Sequence, residues 1–141
     1  MQRGRRIAFD YGDVRIGVAV SDPESILAIP LVTLKSSDKN LAKEVAKIFN
    51  EIEPVAVYLG RPALLSGQDG AATEKALQFA ELLRGLTHIP IELIDERLST
   101  VTAARQLREA GRSAKSSRDF IDMASAVAIL EFALEIEKGK K

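Results

Sequence analysis

The first 35 residues constrain the fold most. Residues 5–11 (RRIAFDY) and 14–21 (VRIGVAVS) are two strand-like apolar runs separated by Gly12 and Asp13, the spacing of a tight hairpin. Asp22 and Pro23 break the second run. Residues 29–34 (IPLVTL) supply a third strand, with Pro30 near its start, as a strand tolerates. Three consecutive strands with short connections predict an antiparallel meander.

The pattern then changes period. Ser37 or Asp38 can cap a helix reaching about residue 52, with Leu41, Val45, Ile48, Phe49 and Ile52 on one face. Residues 55–59 (VAVYL) form a continuous apolar run, as expected of a strand buried on both faces. A loop follows from Gly60 to Gly70, then a helix over 71–84 that Gly85 stops. Residues 89–94 (IPIELI) are a second buried strand. A third helix is expected from Ser99 or Thr100 to about 110, and a last one over 118–137. Strands alternating with helices predict parallel crossovers. The fold class is therefore α/β: a mixed five-stranded sheet, an antiparallel three-strand meander plus two parallel strands, flanked by helices.

The chain has 141 residues and 46% hydrophobic content, enough for one core. A single domain over 1–137 is expected, with 138–141 as a frayed basic tail. Lys+Arg and Asp+Glu both number 20, so any nucleic-acid binding must use a local patch. The absence of cysteine excludes disulfides, zinc ribbons and thiol nucleophiles. A metal site would need carboxylates or the single His88, which selects hard ions such as Mg2+ or Mn2+. The opening MQRGRRIAFDYG lacks the apolar run of a signal peptide, and no run is long enough to span a bilayer, so a cytoplasmic location is expected.

Three acidic positions stand out. Asp10 ends an apolar strand, where a carboxylate is costly unless it is paired or bound to metal; the bland reading is a turn cap. Asp95 and Glu96 follow IPIELI, and functional groups in open α/β sheets collect at the carboxyl ends of strands. Adjacent side chains on extended backbone point opposite ways, so only one of the two reaches a common centre. Asp122 lies in FIDMASAVAIL among apolar and small residues, whereas Asp119 fits a first-turn acid favoured by the helix dipole. Carboxylates distant in sequence suit a two-ion site, with the ions about 4 Å apart.

Positive charge is concentrated nearby. Arg97, Arg105, Arg108, Arg112, Lys115 and Arg118 face a single acid, Glu109, over residues 97–118, a local net charge of +5. Arg105, Arg108 and Arg112 share one helical face. Arg3, Arg5, Arg6, Arg15 and Arg61 add charge from the N-terminus and loops, and such a surface can track a phosphate backbone. A solvated helix face is the alternative. Few aromatics are available for stacking, so recognition is expected to follow shape and backbone. His88, before Ile89-Pro90, reads as an exposed loop residue. A rival reading takes Asp10, Gly12 and Gly17 as a phosphate-binding hairpin of an actin-like ATP-binding regulatory domain, although 141 residues supply only one of the two domains that clasp a nucleotide there.

Four blocks, DYGDVRIGVAVSD at 10–22, GRPALLSG at 60–67, DERLSTVTA at 95–103 and IDMASAVAIL at 121–130, resemble the YqgF/RuvX family over nearly the whole chain. The resemblance implies a ribonuclease H-like fold. It also implies Asp10, Glu96 and Asp122 as catalytic and metal-holding carboxylates, with Gly12, Gly17, Gly60 and Pro62 in loops near the site. It further implies a nuclease acting in 5′-end maturation of precursor 16S rRNA, with ribosomal precursor particles among its partners. Resolution of branched DNA is the alternative; a monomer or a homodimer is open, and the DNA role requires the dimer. The chain departs from the family pattern at Val14, where Lys is common, and at Leu64 and Ser66, where Asn and Asp are common.

Overall fold

The computed structural model describes residues 2–62, 66, 68–98 and 118–139. Five strands form one sheet: β1 (Arg6–Tyr11), β2 (Arg15–Ser21), β3 (Ala28–Lys35), β4 (Ala56–Arg61) and β5 (Ile91–Asp95). Their order is β3-β2-β1-β4-β5. β1 pairs antiparallel with β2, and β2 with β3; β4 runs parallel to both β1 and β5. This is the expected mixed sheet. The helices are α1 (Leu41–Ile52), α2 (Ala71–Arg84) and α3 (Arg118–Gly139). The helix expected over 99–110 and the polar segment 112–117 lie outside the described residues.

Alternation along the strands sorts the core into two layers. Ile7 and Phe9 of β1, Ile16 and Val18 of β2 and Leu59 of β4 face Leu41, Val45 and Phe49 of α1 and Phe79 and Leu83 of α2. Phe9 meets Phe49 and Phe79 edge-on, with ring centroids 6.0 and 5.6 Å apart. The opposite face carries Ala8, Ala19, Tyr58 and Ile94 against Ala126, Ile129, Leu130, Ala133 and Leu134 of α3. Small side chains on both partners of this second layer let α3 lie close to the sheet.

Several boundaries differ from expectation for identifiable reasons. The hairpin connection is Gly12 to Val14 rather than two residues; the Gly12 amide donates to the Arg15 carbonyl at 3.0 Å, and Val14 is 66% exposed. A Cβ at Gly12 would stand 2.6 Å from that carbonyl oxygen, so this turn requires glycine. Pro30 sits on the edge strand, where the register with β2 shifts between Val18 and Ala19. Asp38 accepts from the Asn40 amide at 2.8 Å in a turn ahead of α1, which starts at Leu41. Parallel pairing extends β4 through Gly60 and Arg61, opposite Ile94 and Asp95. α3 continues to Gly139, two residues past its expected end. Among the described residues no helix is long and apolar enough to cross a membrane.

Candidate functional site

The register places the acidic residues. Asp10 alternates with Ala8 on β1, so it belongs to the α3 face, and it is 2% exposed. Its partner on β2 is Gly17. On the other side Phe9 pairs with Leu59, so Asp10 and Gly60 each stand one residue beyond that pair. Asp10 is thus flanked across the sheet by glycines on both neighbouring strands.

Glu96 opens a short 3-10 turn (Glu96–Leu98) at the carboxyl end of β5 and is 5% exposed. It follows the alternation of Ile94, which is buried against α3. Its carboxylate lies over Gly60: a Cβ there would meet Glu96 Oε2 at 3.0 Å and Ile129 Cδ1 at 2.5 Å. Gly60 therefore gives room to Glu96 and to α3 at once.

Asp95, which the residues alone left open, has a different role. Arg97 Nη2 reaches Asp95 Oδ2 at 2.7 Å, and the Arg97 amide donates to Oδ1 at 3.0 Å. The Arg97 hydrogen bond holds the Asp95 carboxyl below the usual range. Asp95 closes its own turn, while Glu96 turns into the sheet–helix layer.

Asp122 lies in α3, four and seven residues before Ala126 and Ile129, whose side chains pack on the sheet. Its own side chain lies outside the described ones, as do those of Asp119 and Arg118. Among the described residues no three metal-ligating side chains cluster. The structure therefore brings Asp10 and Glu96 onto one face, with the helix bearing Asp122 packed across it.

The expected cationic residues divide. Arg61 is paired with Asp69, and Arg97 with Asp95. Arg15 is half-buried at the start of β2. Arg105, Arg108, Arg112 and Lys115 lie outside the described residues, as do Ser99, Thr100 and Leu64. Arg6 does not belong to a positive surface. It is 1% exposed, with Nε 3.0 Å from Glu137 Oε2 and Nη1 2.9 Å from Ser25 Oγ. The Pro62 carbonyl accepts from Thr73 Oγ1, which ties the end of the Gly60–Pro62 stretch to the first turn of α2. His88 is exposed, as expected.

Sequence reading passed over Thr33 and Lys35. Gly17 pairs with Thr33 on β3, and Arg15 with Lys35, so both residues share the face of Asp10. Their signal was alternation with Val32 and Leu34 once the β2 register is known.

Comparison with known proteins places this geometry. The family model described as "RuvX: Holliday junction resolvase" matches residues 4–136. A Streptomyces coelicolor protein named "Putative pre-16S rRNA nuclease" is 45% identical over 140 residues, covering 98% of this chain and 84% of the relative. A Rhodococcus jostii protein of the same name is 50% identical over 135 residues, covering 92% and 76%. Among solved structures, Thermus thermophilus RuvC in complex with a Holliday junction substrate aligns with a TM-score of 0.55 at 18% identity, covering 96% of each chain. A fowlpox virus resolvase bound to Holliday junction DNA aligns at 0.50 with 13% identity, covering 94% of this chain and 98% of that one. These two likenesses show a shared resolvase fold, while the sequence matches show kinship, and the chain belongs to the RuvX family.

Proposed function

We propose that this chain is a nuclease that hydrolyses phosphodiester bonds at a centre formed by Asp10, Glu96 and Asp122, and that its substrate is the 5′ end of precursor 16S rRNA. One observation carries the reading: two carboxylates, 2% and 5% exposed, stand at the carboxyl ends of β1 and β5 on the face that α3 covers. Buried carboxylates in an apolar layer are costly without a cation or a close donor. The substrate follows the names of relatives 45–50% identical to this chain.

The donor set is all oxygen, and the chain contains no cysteine, so the residues fit Mg2+ or Mn2+. When bound, such ions supply an activated water and stabilise the leaving oxygen. Asp10 and Glu96 would hold them, oriented by strand and turn, and Asp122 would complete the set from α3. Gly60, lacking a side chain, lets the Glu96 carboxylate lie over β4 beside the strand that carries Asp10. α3 shields the carboxylates from bulk water on one side, which strengthens electrostatic interactions there. In the rival ATP reading the Gly12 amide serves a phosphate, but here it is engaged by the Arg15 carbonyl within the turn.

Resolution of branched DNA is the second reading, favoured by the description of the family model. One experiment addresses both readings. Wild type and Asp10→Asn are incubated with labelled precursor rRNA and with a four-way DNA junction in Mn2+. Cleavage of the RNA by wild type alone is the expected result. Equal cleavage by both proteins overturns the catalytic assignment, and cleavage of the junction alone supports the DNA reading.

A further inference from the structure

At the end of the sheet that carries Asp10, a cleft of about 360 Å3 opens between β3 and α3. Arg15, Leu31, Thr33, Lys35 and Met123 line it. Met123 belongs to α3, the helix packed across the face that carries Asp10. The volume falls within the range of clefts that hold small ligands. No acidic residue is among the described residues that line it.

The register makes this placement unusual. Arg15 and Lys35 are direct partners across the antiparallel β2–β3 pair. Side by side, the two cations can both donate to one phosphate group. Asp10, Gly17 and Thr33 form one row across three strands. At about 4.8 Å per strand, Thr33 stands about 10 Å from Asp10. Leu31, 39% exposed, and the half-buried Met123 add apolar walls beside the cations. Phosphate contacts with apolar walls suit a nucleic-acid backbone, where phosphates alternate with sugars.

We infer that this cleft holds the strand being cut, with Arg15 and Lys35 gripping a backbone phosphate that flanks the scissile bond. The inference rests on the nuclease reading and adds the path of the substrate. Lys35 is the cleaner probe because it is exposed at the end of an edge strand.

The test measures RNA binding and cleavage separately. Binding of a fluorescein-labelled RNA spanning the 5′ precursor–mature junction of 16S rRNA is followed by anisotropy at several salt concentrations, in the Asp10→Asn background. Cleavage of the same RNA is followed in the otherwise wild-type protein. Lys35→Gln is expected to raise Kd and KM about three- to ten-fold, with kcat within about two-fold. The slope of log Kd against log salt should fall by about 0.7 to 0.9. Leu31→Glu, which places a negative charge in the cleft, should weaken binding at least as much while melting like wild type. Wild-type Kd, KM and salt slope in both variants, with wild type still cleaving and Asp10→Asn inactive, would overturn the cleft alone. A wild type that neither binds nor cleaves the RNA overturns both readings.

Discussion

Gly60→Ala tests the central packing relation, because one added carbon meets two neighbours with different roles. The new Cβ would lie 2.5 Å from Ile129 Cδ1 and 3.0 Å from Glu96 Oε2. To regain a 3.4 Å contact, the methyl must retreat by about 0.9 Å and the carboxylate oxygen by about 0.4 Å. Ile129 is fully buried and has little room, so overpacking should cost about 1–3 kcal/mol, read from urea denaturation. Misplacing a catalytic group by up to an ångström should lower kcat by about ten- to hundred-fold. The two effects can be separated. Ile129→Val removes the clashing Cδ1 and by itself should cost about 0.5–1.5 kcal/mol. In the Gly60→Ala background the same change should be neutral or stabilising, a coupling of at least about 0.5 kcal/mol. The double variant should nevertheless cleave slowly, since its Cβ still presses on Glu96. A folded Gly60→Ala enzyme with wild-type kcat would refute the role given to Glu96. Full recovery of rate in the double variant would refute it too, by tracing the defect to α3 packing.

Three further outcomes are expected. Arg6→Met should destabilise the fold by about 3 kcal/mol in urea, because it leaves Glu137 without its guanidinium partner, and Arg6→Met/Glu137→Met should recover part of that loss. Hydrogen bonds from the Leu27 amide, followed by those from Ile26 and Glu24, hold the Asp22 carboxyl below the usual carboxylate range. A lowered folded pKa gives stability that is present above the unfolded value and lost as pH falls through the folded one, so the Tm gap between wild type and Asp22→Ala should be full at neutral pH and close in acid below about 4. Ser125 is fully buried, its hydroxyl has no hydrogen-bond partner among the described residues, and Ser125→Ala should leave Tm unchanged or raise it; a loss above about 1 kcal/mol would contradict this.

The succession of strands and helices along the chain was legible because period and turn chemistry agree over residues 5–35 and because VAVYL and IPIELI are too short and apolar for surface helices. Their exact ends were not. Gly60 and Arg61 read as loop residues, yet they continue β4 because β5 offers Ile94 and Asp95 as partners, which local sequence does not reveal. Glu96 against Asp95 is a question of parity. It could be settled only once the strand end was known, and moving that end by one residue exchanges the two side chains between faces. Arg6 misled for a related reason: in RRI either arginine can point outward, and the one that points inward is matched by Glu137, 131 residues later. Charge counts cannot see such a pairing.

The two faces of the sheet explain why the acidic residues sit where they do. The face under α1 and α2 is filled by Ile7, Phe9, Ile16, Val18 and Leu59, and large side chains there leave no place for a carboxylate. The α3 face is built from Ala8, Ala19, Gly17 and Gly60 against Ala126 and Ala133. That choice brings the helix close, and at Gly60 it also makes room for the Glu96 carboxylate. Along β1 the same face runs from Arg6 through Ala8 to Asp10, so the strand carries a buried cation at one end and a buried carboxylate at the other. Arg6 is matched within the chain by Glu137 near the end of α3. The Arg6–Glu137 pair fixes the far end of α3, and the contact of Ile129 with Gly60 fixes its middle. Between them they leave the helix little freedom to slide, and so determine where Asp122 stands relative to β1. On this reading, positioning of the third carboxylate depends on an ion pair at the opposite end of the same helix, and loss of Arg6 should slow cleavage as well as weaken the fold.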